Sequence, residues 1–115
     1  MVTAAFELSW DGRIIKGLRP DEPVDAVIER GEMLEGLRGA RRVAFEGSPE
    51  QFRELAAGGY LDELCITWLP RIAGGDSAPA MTGLSGEFLP KGVTLELRKI
   101  ERHGGECRAT YRVID

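Results

Sequence analysis

Val2, Ala4, Phe6, Leu8 and Trp10 alternate with Thr3, Ala5, Glu7 and Ser9. Period two along this stretch is the pattern of a strand with one buried face. Asp11-Gly12 ends it as a turn. Lys16 to Pro23 is polar, contains Pro20 and Pro23, and reads as a loop. From about Val24 to Leu37 the spacing predicts a helix, with Val24, Val27, Ile28, Leu34 and Leu37 near one face. Gly31 and Gly36 weaken that helix by roughly 1 kcal/mol each relative to alanine.

The segment from Arg42 to Gly75 is better marked. Arg42-Val43-Ala44-Phe45-Glu46 is a short strand, and Gly47 permits a sharp turn after it. Ser48-Pro49-Glu50-Gln51 carries agreeing helix-start signals: a capping hydroxyl, a proline suited to the first turn, and a Gln placed to reach back as in a capping box. The helix runs to Ala57, with Phe52, Leu55 and Ala56 inward and Gly58-Gly59 as its stop. Leu61 to Leu69 is then a strand that is largely apolar on both sides, hence central. Strand, helix and strand in one sheet imply a parallel crossover.

Pro70 to Pro90 is rich in Gly, Pro and Ser and reads as irregular. Val93 to Arg102 and Glu106 to Ile114 form a hairpin around His103-Gly104-Gly105. Cys107, Ala109, Tyr111 and Val113 make one face, while Glu106, Arg108, Thr110 and Arg112 make a polar one. That alternation fits an outer hairpin with one solvated side.

Composition narrows the class. The chain has 115 residues, the size of one domain, and buries enough surface to fold without a metal or disulfide. No apolar run nears the roughly 18 residues of a membrane span, and no secretory leader is visible. A net charge of −4 repels nucleic acid. Cys65 and Cys107 lack metal spacing and read as reduced, buried thiols of a cytoplasmic protein.

The chemical inventory is short. His103, at the hairpin tip, is the only histidine. There is no nucleophile triad, zinc spacing or P-loop, and no catalytic residue or metal ligand is assigned. Asp62 and Glu63 precede a strand and read as solvent-facing or capping. Arg38, Arg41 and Arg42 could hold a phosphate, but a solvated basic patch is the commoner reading of such a cluster. One constellation stands out: Gly47-Ser48-Pro49 places the N–H groups of a helix start directly after a buried strand, a geometry suited to an anion. Glu46 sits at the carboxyl end of that strand, where open α/β sheets place ligands.

The order of motifs resembles a known family. Ser9-Trp10-Asp11-Gly12-Arg13-Ile14 is similar to the end of the first strand in the pyrimidine reductase domain of riboflavin biosynthesis. Val43 to Ser48 resembles that family's strand ending Glu-Gly-Gly. Gly59-Tyr60-Leu61-Asp62-Glu63-Leu64 resembles its Gly-Leu-Val-Asp-Glu-Leu signature, and Pro70-Arg71-Ile72-Ala73-Gly74-Gly75 its Pro-x-Leu-Leu-Gly-Gly loop. The resemblance implies a dihydrofolate-reductase-like, three-layer α/β fold and the cofactor NADPH. By it, Asp11, Arg13 and Glu46 match substrate-side positions. Leu8, Gly47, Ser48, Pro49, Glu50 and Gln51 match cofactor-side positions.

The chain also departs from the family. Between Ile15 and Val24 it has a short loop where the family carries three strands, their helices and much of the adenosine site. The resemblance therefore implies a shortened single domain over residues 1–115. Its mixed sheet has about five strands with two helices. The order is the two hairpin strands, the Leu61 strand, the N-terminal strand, and the Val43 strand at the edge. An apolar edge there invites pairing and predicts a homodimer. Ser48 stands where the family has a second glycine, and Glu7 where it is small or apolar. The readings that follow are an NADPH-dependent pyrimidine reductase, a non-catalytic binder of a small anionic or nucleotide-like ligand, and a dimeric interaction module.

Overall fold

The structure is a computed structural model that describes residues 1–9, 12–18, 23–31, 34, 40–72 and 92–114. Among these described residues, seven strands and one helix follow in the order β1 (Val2–Leu8), β2 (Ile14–Leu18), β3 (Ala26–Ile28), β4 (Val43–Phe45), α1 (Pro49–Ala57), β5 (Glu63–Trp68), β6 (Leu95–His103) and β7 (Glu106–Val113). All seven strands join one sheet in the order β3-β4-β1-β5-β7-β6, with β2 beside β1. The expected order of the hairpin, β5, β1 and β4 is therefore present, and β3 extends it. Pairing is parallel among β3, β4, β1 and β5, and antiparallel at the β5-β7-β6 end.

Two segments differ from the sequence expectation. Residues 24–28 hold β3 rather than the start of a helix, and of residues 32–37 only Leu34 lies among those described. β3 forms because β4 offers it a free edge: Val27 aligns with Ala44 and Ile28 with Phe45. Asp25 clamps the start of this pair. Its N–H donates to the Arg42 carbonyl at 2.7 Å, and its Oδ2 accepts the Arg41 and Arg42 N–H groups at 2.7 and 3.0 Å. These bonds, Arg42's first, hold the Asp25 carboxyl below its ordinary range. The β4 edge is thus covered by β3, which removes the edge on which the dimer expectation rested.

Lys16 to Leu18 is the second difference, because it belongs to strand β2 rather than to a loop. β4 ends opposite Ala4, so the rest of that side of β1 is open, and β2 fills it from Leu18 opposite Ala5 to Ile14 opposite Leu8.

The core lies between α1 and one sheet face. Val2, Ala4, Phe6 and Leu8 of β1, Val43 and Phe45 of β4, and Leu64 and Ile66 of β5 meet Phe52, Leu55 and Ala56 of α1. Phe6 and Phe52 stack edge to face, with centroids 5.4 Å apart at 83°. The helix stops as expected: the Gly58 N–H bonds to the Glu54 carbonyl, and Gly59 follows with φ +76°. At the sheet's start, the Asp62 carboxylate accepts the Val2 N–H at 2.8 Å, a cap on the strand it precedes. The opposite sheet face carries Thr3, Ala5, Cys65, Thr67, Arg108 and Thr110. No described helix is long and apolar enough to cross a membrane.

Candidate functional site

Four parallel strands deliver their carboxyl ends to one edge of the sheet, where open α/β folds place ligands. Glu46-Gly47-Ser48 leaves β4 at this edge and enters α1. Ser48 is extended (φ −78°, ψ 166°) and caps the helix. Its Oγ accepts the Gln51 N–H at 3.2 Å, and Gln51 Oε1 accepts the Ser48 N–H at 2.8 Å. The capping box read from the sequence is therefore present. It also consumes two of the donors that an anion needs. Pro49 has no N–H, and the Phe52 N–H is held by the Ser48 carbonyl at 2.9 Å. Among the described first-turn residues this leaves the Glu50 N–H, with the acidic Glu50 itself in that turn. Gly47 is explained by packing: a Cβ there would run into Gln51 Oε1 and stand 3.0 Å from Cζ of Phe45.

Ser48→Ala is expected to destabilise the protein by about 1 kcal/mol, the usual cost of losing such a cap. Urea unfolding checks it. An unchanged midpoint would show that the cap carries no stability.

The remaining candidates lie further along the sheet. Leu8 pairs with Ile14, and Arg13 closes the β1–β2 turn. The Ser9 N–H donates to the Arg13 carbonyl at 2.9 Å, and the Arg13 N–H donates to Ser9 Oγ at 3.1 Å. Ser9 is fully buried, so its hydroxyl is a structural latch for this turn. Gly12 makes the turn possible with φ +77°. Leu8 is 2% exposed and its side chain belongs to the core. Phe45 aligns with Ala4, so Leu8 stands four residues beyond the end of β4, about 13 Å at roughly 3.3 Å per residue. The structure thus makes two groups of the sequence candidates. Glu46 to Gln51 form one at the helix start, and Leu8 with Arg13 form the other at the hairpin. Glu46 is exposed, and its N–H donates to the Ile28 carbonyl at 2.9 Å. Asp11, Arg38 and the Ala73-Gly74-Gly75 loop lie outside the described residues.

One polar feature was not legible in the sequence. Lys16, Glu7, Thr67, Arg108 and Glu101 align in a single row across five strands. Only strand order and register bring them together, because each is an ordinary polar position in its own strand. At the end of the row Glu101 pairs with Lys99, and with His103 Nε2 at 2.9 Å. The Lys99 bond, then that of His103, pulls the Glu101 carboxyl down to about 2.

The family of the RibD C-terminal domain matches residues 27–107, well over half of the chain. The chain belongs to the RibD C-terminal domain family. No curated protein matches it. The solved structures that share its fold include these three. A protein from Shewanella sp. PV-4 assigned provisionally to riboflavin biosynthesis has a TM-score of 0.69 at 13% identity, over 99% of this chain and 98% of that one. Riboflavin biosynthesis reductase Rib7 from Saccharomyces cerevisiae has a TM-score of 0.66 at 12% identity, over 99% and 90%. RibD from Acinetobacter baumannii has a TM-score of 0.56 at 18% identity, over 72% of this chain. The chain spans only 23% of that RibD chain. The fold is thus the dihydrofolate-reductase-like mixed sheet of RibD-type domains, with one described helix where the sequence reading had two.

Proposed function

We propose that this RibD C-terminal domain acts in riboflavin biosynthesis as an NADPH-dependent pyrimidine reductase, with its ligands at the carboxyl ends of β3, β4, β1 and β5. The parallel strand ends carry this reading, because among the described residues they form the edge where the chain turns from strand into a capped helix. By the family resemblance Glu46, Arg13 and Asp11 are assigned to the substrate. By the same resemblance Leu8 and Gly47 to Gln51 are assigned to the cofactor. NADPH supplies the hydride chemistry, and the protein's task is to hold donor and acceptor in register. The helix start does not fit a phosphate by itself, since its cap takes up the Ser48 and Gln51 donors and Glu50 adds negative charge. Groups from a second copy complete the site in this proposal, and the working form is a homodimer. Cys65 and Cys107, both thiols outside any disulfide, suit a cytoplasmic setting.

The same cap favours a second reading, a domain that binds a small ligand at this edge without hydride transfer. NADPH titration followed by calorimetry and thermal unfolding separates the two. The reductase reading expects a dissociation constant below about 0.1 mM. At ten times that concentration the cofactor then stabilises the fold by about 1.4 kcal/mol, visible as a rise in melting temperature. No heat and no rise at millimolar NADPH would leave only the second reading.

A further inference from the structure

The sheet face opposite α1 carries a cleft of about 530 Å³. That volume is in the range of small-molecule sites. It is distinct from the helix start, since neither Ser48 nor Gln51 lines it. Its charge runs against that of the chain. Arg42, Arg98, Lys99 and Arg108 line it against the carboxylates of Glu63 and Glu101, an excess of positive charge on a chain of net charge −4. Arg98 and Lys99 already hold Glu96 and Glu101 in exposed ion pairs. Such pairs contribute little and yield to a better-placed anion.

A second, independent observation lies on the floor. Thr67 is 5% exposed, and its Oγ1 is the one buried side-chain oxygen or nitrogen among the described residues with no hydrogen-bond partner. Buried hydroxyls are normally satisfied, so an orphan that lines a cleft points to a missing partner. Nearby Thr110 does not fill that role, because its hydroxyl is directed to Cys65 Sγ at 3.7 Å. The register sets Arg108 directly beside Thr67 on the same face, with Glu7 on the other side of Thr67, outside the cleft lining. A hydroxyl donor next to a guanidinium, under a net positive wall, recognises an oxyanion.

We infer that this cleft binds a small organic molecule through a phosphate or carboxylate group, which accepts a hydrogen bond from Thr67 Oγ1 beside Arg108. The site goes beyond the strand-end reading and does not depend on it.

Inorganic phosphate and malonate, each titrated at constant ionic strength, are the probes. Thermal unfolding of the wild-type protein, Thr67→Val and Arg108→Gln is the readout. At least one probe is expected to raise the wild-type melting temperature saturably, and the one that does so tells phosphate from carboxylate recognition. Thr67→Val keeps the shape and removes the orphan hydroxyl. Its melting temperature without anion should match or exceed that of the wild type, while its affinity for the anion falls about tenfold. Arg108→Gln should also weaken binding. Equal anion shifts in wild type and Thr67→Val, or no saturable shift with either probe, overturn the inference. Amide chemical shifts of Thr67 and Arg108 in the wild-type protein test the site without a variant: they should move on titration, and unmoved signals at saturating phosphate and malonate refute it. NADPH is absent from this experiment, so its failure leaves the cofactor reading standing.

Discussion

Phe45→Ala is expected to destabilise the protein by about 3–5 kcal/mol, the largest effect of any single substitution considered. Phe45 is 2% exposed and packs in a triangle with two other rings, 6.4 Å from Phe6 and 6.0 Å from Phe52. These three residues tie β4, β1 and α1 together. Removing the Phe45 ring leaves a cavity that two strands and a helix must collapse into at once. Domains of this size are stable by only about 5–15 kcal/mol, so the loss is a large share of the total. Urea unfolding followed by tryptophan fluorescence measures it. A loss under about 1.5 kcal/mol would mean that α1 does not pack on β4 as described.

Ile28→Ala is expected to cost about 2–4 kcal/mol, while Val27→Ala stays under about 1 kcal/mol. Ile28 is 1% exposed and packs in the core opposite Phe45, whereas Val27 is 37% exposed on the other face of β3. The contrast distinguishes the two forms this segment could take. A helix over 24–37 sets Val27 and Ile28 on one apolar face and makes both truncations costly. A strand sets them on opposite faces, because successive side chains alternate. The same urea experiment on both variants decides, and equal losses would refute β3.

The two predictions touch opposite ends of what the residues reveal. Phe45 and Phe52 were legible as core positions because the signals around them are local. A short apolar strand, a Ser-Pro-Glu-Gln helix start and a Gly-Gly stop all lie within a few residues of one another. Ile28 was legible as buried but not as strand. Val24-Asp25-Ala26-Val27-Ile28 is too short for its period to separate strand from helix, and the apolar residues after it completed a helical spacing. Lys16-Gly17-Leu18 was missed for a similar reason, since two non-apolar residues beside Pro20 look like a loop until β1 offers them a partner.

The candidate site shows the same division. Ser48 and Gln51 announced their capping box in the sequence, and the structure has it. That the box leaves little for an anion required the bonds themselves. The sequence alone determined the central β4–α1–β5 unit, the C-terminal hairpin, and the family whose strand order the chain keeps. It did so because caps, glycine stops and period-two alternation act between near neighbours. Only the tertiary structure decided that β3 covers the β4 edge and that β2 completes the β1 edge. It alone set Thr67 between Glu7 and Arg108 on the face opposite α1. Those outcomes depend on which strand ends where beside another. A register between strands some 40 residues apart leaves no periodic mark in the residues that form it.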